Sequence, residues 1–294
     1  MYKVKHMRYN RIKAVLDEKE LTQKWLAAHI GVSTVTVNFW CSNKSQPSLK
    51  TLFEIAEALQ TPAFALIHED EPQKKEQVLI VGASGHSKVI IDTFEKEGRY
   101  EIIGLLDTKK TKGSNVLGHT VLGTDDQLPE LLKKYPFCKL FVAIGDNWIR
   151  QRVVSSLLEV LPNVQFASTI HPSVSIGKKT CIGKGVAILA GAVINCDTTI
   201  GDFAIVNTKA GIDHDSTLAE FSSLGPNAAT GGNVSIGKCT AVGIAATIKH
   251  GVTIGNHTVI GAGAVVLNDC GDHVVSYGAP AKEIRSRKVG EPYL

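Results

Sequence analysis

His214 stands between two carboxylates in the stretch Asn207-Thr-Lys-Ala-Gly-Ile-Asp213-His214-Asp215. A neutral imidazole suits general-base work because its pKa lies near physiological pH. A carboxylate beside it can fix the tautomer and favour the protonated form that develops as a proton is taken. The same residues would also suit a solvated acidic corner, so spacing alone leaves both readings open. Of the ten histidines, the others offer less. His6, His29 and His68 lie in the N-terminal stretch, and His119 falls in an expected hairpin turn. His171 opens a repeat, where capping explains it, and His250, His257 and His273 fall in repeat corners or the tail. A second chemistry-bearing segment is VLIVGASGHSKVIIDTFEK, residues 78–96. It reads as an apolar strand, a Gly-rich turn and an amphipathic helix expected to bury Val89, Ile90 and Phe94. Backbone N–H groups at such a turn and helix start form a ready anion site. Gly82-Ala-Ser-Gly85 is not GxGxxG, however, and supports a dinucleotide only weakly. For His86, local hydrogen bonding at the helix start competes with ligand binding.

These residues need elements to hold them. Further strands are expected at 102–107 and 138–146, with a helix from about 147 to 159. The result is a small Rossmann-like α/β unit, whose ligands tend to bind at strand C-terminal ends. Those ends carry Gly82–His86, Asp107 and Gly145–Asn147. From Ile170 the helix signals stop and a step of six takes over. Ile176, Ile182, Ile188, Ile194, Ile200, Val206, Ile212, Leu218 and Leu224 follow one another. After Thr230 the series resumes at Ile236 and runs to Val266. Thr230 is the one non-aliphatic residue in that register. Two residues before each position stands something small or β-branched, from Ser168 to Ala264. A period of six is neither 3.6 nor 2; it is the hexapeptide signature of a parallel β-helix. One aliphatic and one small side chain per short strand would fill a narrow shaft, and stacking would bury ladders and backbone hydrogen bonds together. The glycine that often follows the aliphatic residue is expected to supply a positive φ at the corner. A β-sandwich with accidental spacing is the competing explanation, and the unbroken register argues against it.

Composition narrows the classes. The 294 residues leave room for two or three cored units, and a net charge of +4 with 44% apolar residues excludes general disorder. No apolar run reaches the roughly 18–20 residues of a membrane helix. Basic residues at the N-terminus have no apolar region behind them, so a cytoplasmic protein without membrane attachment is expected. Cys41, Cys138, Cys181, Cys196, Cys239 and Cys270 are scattered without a CxxC pair, which favours reduced thiols and disfavours zinc. No metal is expected.

Hexapeptide repeats ending in SYGAPAKEIR resemble the left-handed β-helix acyltransferases, whose trimers bind acyl-CoA between subunits. With GASGHSKV, the LLD strand end and AIGDNWIR added, the chain resembles bacterial enzymes that N-acetylate nucleotide-linked 4-amino sugars or O-acetylate sialic acids. The resemblance covers residues 78–288. It implies acetyl-CoA as co-substrate, a homotrimer, His214 as general base and Asp215 as its partner, with Asp213 a solvent-facing bystander. It implies that Gly232 gives a backbone N–H to the thioester oxygen, a corner glycine being the alternative. Ile244 and Ala262 would line the pantetheine arm. It nominates Gly82, Ser84, Gly85, His86, Asp107, Gly145, Asn147, Asn207 and Thr208 for the sugar nucleotide. One departure is that Ser223 stands where family members often carry a second histidine, which leaves acceptor positioning open. The expected activity is N-acetylation of a UDP-linked 4-amino-4,6-dideoxy sugar. The alternatives are O-acetylation of a sialic acid, a sugar-sensing regulator, or a scaffold.

Residues 1–67 read as four or five short helices. Thr22, Ser33 and Ser48 are expected N-caps, Gly31 a tight turn, and Leu52, Ile55, Ala56 and Leu59 one helix face. The order resembles the Cro/repressor-type helix-turn-helix family, which implies Gln23, Thr34, Thr36 and Asn38 near DNA. Nine Lys/Arg against five Asp/Glu in this stretch is a modest surplus, and a docking module is the alternative. The expected domains are 1–67, a linker at 68–77, the α/β unit at 78–167 and the β-helix at 168–294.

Overall fold

The computed structural model describes residues 9–67 and 75–293. His6, His68 and most of the expected linker lie outside the described residues. The chain divides at Lys74 into two compact units. In the first, α1 (Ile12–Glu18), α2 (Gln23–Ile30), α3 (Thr34–Cys41) and α4 (Leu49–Ala58) follow one another. The caps are those expected: Thr22 Oγ1 accepts from the Trp25 N–H at 3.1 Å and Ser33 Oγ from Thr36 at 3.0 Å. Ser48 Oγ accepts from Thr51 at 3.1 Å. Each such cap contributes about 1 kcal/mol. Gly31, at φ +71°, ends α2. Ile12, Leu16, Leu26, Val37, Trp40, Ile55, Leu59 and Leu66 form the core, with Leu52 partly buried against it.

The second unit opens with a five-stranded sheet of order β3-β4-β2-β1-β5. Its strands are β1 (Glu76–Val81), β2 (Tyr100–Leu106), β3 (Asn115–Val116), β4 (His119–Gly123) and β5 (Lys139–Val142). The first strand starts inside the stretch expected to be linker, because Glu76 and Gln77 already pair with Tyr100 and Glu101. Strand alternation sends Val78 and Ile80 to one face, against Ile90, Ile91 and Phe94 of α5 (Gly85–Glu97). Val89, expected to be buried, is 41% exposed, since the helix turns Ile90 and Ile91 inward instead. Leu79 and Val81 face α6 (Leu128–Lys134) and α7 (Asn147–Val160).

From Thr169 to Val266 run seventeen two-residue strands. Val193 pairs in parallel with Gly211, eighteen residues on, and the same offset recurs up the prism. Three sheets result, and their inward residues define a face of Ile170, Ile188 and Val206, a face of Ile176, Ile194 and Ile212, and a face of Ile182, Ile200 and Leu218. The fold is the left-handed parallel β-helix. Its shaft is filled by the aliphatic ladder and by the small residues two positions earlier, Ala192, Ala204, Ala210, Ala228 and Ala264 among them.

The corners correct one expectation. The glycine after each aliphatic residue does not carry the positive φ. Three positions beyond the aliphatic residue, Asp197, Asp215, Asn227 and Asn233 do, at 55° to 57°, as do Gly185, Gly191 and Gly251. The earlier glycine is there for space: a Cβ on Gly201 would sit 2.6 Å from the Glu220 nitrogen, and one on Gly237 2.5 Å from the Gly255 carbonyl carbon. Phe203 and Phe221 also take positive φ, a conformation costing roughly 1–2 kcal/mol. Their rings stack at 4.9 Å in the buried layer beneath α7, which offsets that strain.

That layer joins the α/β sheet to the prism, and Arg150 of α7 fastens it. The side chain is 1% exposed. Nε donates to the Phe203 carbonyl at 2.9 Å and Nη2 to Phe221 at 3.0 Å, while Nη1 reaches the Ile144 carbonyl at 2.8 Å and Gly145 at 3.0 Å. Asn147 Oδ1 takes the remaining Nη2 hydrogen at 2.7 Å. Burial pushes the guanidinium down to about 10, still charged at neutral pH. Carbonyl dipoles, not a carboxylate, hold that charge.

Candidate active site

His214 sits at the corner that follows Ile212. Its ring is tied by Nδ1 to Asp215 Oδ2 at 2.8 Å. Asp215 can do this because the corner takes positive φ, which a short polar side chain tolerates. The hydrogen bond to Asp215, and the charge of Asp213 after it, hold the imidazole above its ordinary pKa. The backbone around the ring is fixed on both sides: the His214 N–H donates to Asp213 Oδ1 at 2.8 Å, and its carbonyl accepts from the Asn233 N–H at 2.8 Å. Asp213 is thus tied into the corner's backbone. Its carboxylate also accepts from Asn195 Nδ2 at 2.6 Å, and these bonds hold it below the usual carboxylate range. Asn195 was missed in the sequence, although its place eighteen residues before Asp213, one full coil, was the available signal.

Gly232 lies one coil above His214, and the imidazole rests on it. A Cβ there would stand 2.5 Å from Cε1 and 2.6 Å from Nε2 of His214. The Gly232 N–H meets no acceptor among the described residues, while its carbonyl accepts from Gly251 at 2.9 Å. An imidazole with a fixed tautomer thus stands beside a free backbone donor. Such a pair can take a proton from a nucleophile and stabilise an oxyanion. His214 remains half exposed, its side chain 54% accessible.

The other expected contacts fall elsewhere. Asn207 and Thr208 lie at the corner after Val206, and the same corner, read upward, carries Pro226, Ile244 and Ala262. Backbone bonds from Asn227 to Thr208, Ala245 to Pro226 and Gly263 to Ile244 link that column. Ile244 is 57% exposed. One chain therefore divides the expected residues between two corners of the prism.

At the C-terminal edge of the α/β sheet, Ser84 begins α5 with its hydroxyl unbonded, and the space around Gly85 is open. Gly82, at φ +107°, closes against the Ala143 carbonyl. Asp107 Oδ2 accepts from the Ala83 N–H at 2.7 Å and Oδ1 from Lys109 and Lys110 at 2.8 and 2.9 Å. The carboxylate ties the loops after β1 and β2 together. His86 buries Nε2 without a partner, and burial, then the charge of Arg150, pushes it down to about 4. It is neutral at physiological pH. Gly145 presents its carbonyl to Arg150. Asn147, expected to touch substrate, is instead fully buried. Its Nδ2 donates to the Thr240 carbonyl at 3.0 Å, its Oδ1 is taken by Arg150, and its N–H donates to the Tyr293 hydroxyl at 2.8 Å. The residue belongs to the joint, not to the cleft. Ser223, the departure noted above, neighbours the half-buried Tyr293 phenol.

In the N-terminal unit, Thr34 and Asn38 are exposed on α3 together with Val35 and Phe39. Asn38 Nδ2 donates to Gln23 Oε1 at 3.3 Å. The Thr36 hydroxyl is engaged with Ser33 at 2.8 Å, so it is turned to the cap and not to that face. Among the described residues no helix is long and apolar enough to cross a membrane, and no cluster of three His, Cys, Asp or Glu could hold a metal ion. All six cysteines are free.

Known proteins match both units. The PglD N-terminal domain profile matches residues 77–157 and a helix-turn-helix profile residues 12–66. UDP-N-acetylbacillosamine N-acetyltransferase of Bacillus subtilis is 34% identical over 114 residues, 38% of this chain; the match spans about half (51%) of that relative. The structure of a histidine-to-asparagine mutant of perosamine N-acetyltransferase from Caulobacter crescentus, in complex with CoA and GDP-perosamine, is 38% identical with a TM-score of 0.67. It covers 71% of this chain and 97% of its own. The acetyltransferase domain of PglB from Neisseria gonorrhoeae, solved with acetyl coenzyme A, is 33% identical with a TM-score of 0.66 over 71% of this chain and all of its own. The chain belongs to the hexapeptide-repeat sugar N-acetyltransferases, acyltransferases built on a left-handed β-helix, and carries a helix-turn-helix domain at its N-terminus.

Proposed function

We propose that the protein transfers the acetyl group of acetyl-CoA to the amine of a nucleotide-linked 4-amino-4,6-dideoxy sugar. The observation that carries this reading is the His214–Asp215 pair at 2.8 Å, resting on Gly232. The amine nitrogen attacks the thioester carbonyl carbon while His214 takes the amine proton. The oxyanion meets the Gly232 N–H. The carbon–sulfur bond then breaks, and the proton passes to the CoA thiolate. Asp215 holds the imidazole in register and stabilises its charged form. The nucleotide lies at the C-terminal edge of the α/β sheet, where Ser84, Gly85 and the first turn of α5 offer free donors to an anion. Transfer to nitrogen is favoured over transfer to the hydroxyl of a sialic acid because the relatives above are N-acetyltransferases. Ile244 and Ala262 contact the pantetheine arm, and Asn207 and Thr208 the acceptor sugar. Since these residues and His214 occupy different corners, the full site needs the corner of a second copy, as a homotrimer supplies.

Thiol release from acetyl-CoA, measured against UDP-, GDP- and dTDP-linked 4-amino sugars, tests this reading. His214→Ala is expected to lower turnover roughly 10²–10⁴-fold. A loss under threefold removes His214 from the role of base. The helix-turn-helix unit supports a second, separate reading as a DNA reader through Thr34 and Asn38. Salt-dependent retention of an operator library by the full chain tests it, and retention of none overturns it.

A further inference from the structure

Thr230 is the one position in the aliphatic register that is not aliphatic, and the ladder departs from its pattern at the same place. Elsewhere a strand such as β10 (Val193–Ile194) pairs both residues with the strand one coil on: Val193 with Gly211 and Ile194 with Ile212. Between Gly211–Ile212 and Ala229–Thr230 only the first pair forms. The N–H of Asp213 explains the gap. In the coils around it the equivalent N–H groups, those of Asn195, Gly201 and Asn207, donate to the carbonyls of Ile212, Leu218 and Leu224. Asp213 instead donates to the side-chain hydroxyl of Thr230, at 3.2 Å.

This exchange lies one residue from His214. The peptide whose N–H Thr230 receives leads into Asp213. The Asp213 carboxylate is held by Asn195 and in turn receives the His214 N–H. Immediately after Thr230 come Gly231 and Gly232, where a Cβ would strike the backbone of His250 and the ring of His214. An aliphatic residue at 230 would offer the Asp213 N–H no side-chain acceptor, and the strand would have to close onto its backbone carbonyl in the regular ladder. That closure would carry the Asp213–His214 peptide with it.

We propose that Thr230 is a positioning residue for His214. Its hydroxyl keeps the second pair of the ladder open at this corner so that the imidazole lies on Gly232 within reach of Asp215. This rests on the assignment of His214 as base. The shaft gives up one apolar contact at this site, and the catalytic corner gains a fixed geometry.

The test uses the full-length enzyme with Thr230→Val, which keeps the shape and removes the hydroxyl, Thr230→Ala, which removes it without adding bulk, and Thr230→Ser, which retains it. Initial rates of thiol release are measured over a range of pH, beside thermal melts. For Val and Ala the expected result is a fall of about tenfold or more in kcat, with KM for acetyl-CoA within twofold and a melting temperature at or above the parent's. The acidic limb of the rate profile should shift to lower pH as the ring leaves Asp215. Thr230→Ser should restore kcat to within about threefold and return the limb. Parental kcat and an unmoved limb in both Val and Ala overturn the proposal. So does a loss of rate that follows loss of folded protein in all three variants. His214→Asn, assayed alongside, separates the two claims. If it stays active, the base assignment fails; if it is inactive while Thr230→Val is parental, only the role of Thr230 fails.

Discussion

Replacing Gly232 by alanine probes the resting place of the proposed base, the His214 ring, with one carbon atom. The new Cβ would lie 2.5, 2.6 and 3.0 Å from Cε1, Nε2 and Nδ1 of His214. Non-bonded carbon contacts settle at about 3.5–4.0 Å, so the imidazole must retreat by roughly 1 Å. Because the ring is half exposed, it has somewhere to go, and the backbone at 232 has no left-handed φ to penalise alanine. Stability should therefore change by less than about 1 kcal/mol. The Gly232 N–H is retained, so the proposed oxyanion donor survives and the loss reports on the proposed base alone. A displacement of that size at a reacting group lowers turnover on the order of 10²-fold. Thiol release from acetyl-CoA gives the rate and a thermal melt gives the fold. Gly237→Ala is the contrasting variant, since its Cβ meets immovable backbone at 2.5 Å and should lower the melting temperature. Turnover of Gly232→Ala within threefold of the parent, at the parental melting temperature, refutes the reasoning.

Two more outcomes follow from the same contacts. Asp215→Asn removes the first cause of the raised His214 pKa; since only the unprotonated ring accepts a proton, the acidic limb of kcat/KM should move to lower pH while the plateau falls roughly 10–10³-fold. A limb that stays in place excludes Asp215 as the partner. Arg150→Met strips the donors from the carbonyls of Phe203, Phe221 and Ile144 and should cost at least about 3 kcal/mol, read as a lower urea midpoint; a loss below 1 kcal/mol refutes the account of the joint.

The prism was legible because its code is strictly periodic: each aliphatic residue of the register from Ile188 to Val266 fills the same shaft, and a repeat of six has few other physical explanations. The helix caps were legible for a similar reason, as Thr22, Ser33 and Ser48 act on backbone three residues away. What failed was long in range. Asn147 looked like a cleft residue because it follows a strand end, but its partners, Thr240 and Tyr293, are about a hundred residues or more distant in the chain. Arg150, the central residue of the joint, drew no notice in the sequence, since a buried guanidinium satisfied by carbonyls leaves no charged partner to find. The corner glycines were assigned the wrong task because a period of six shows where a residue recurs and not which of its properties is used. Thr230 was visible as an exception, and only the ladder around it gave the exception a meaning.

The Arg150 joint has a consequence for selectivity. With both ends of one guanidinium bolted to the prism and to the strand-end loop, the two halves of the second unit cannot hinge to suit the guest. The start of α5 is then held at a set distance from the corner of the same prism that carries Asn207 and Thr208. With the nucleotide and the sugar bound as proposed, acceptors are sorted first by the reach between their anionic anchor and their sugar, and only then by the pattern of hydroxyls around the ring.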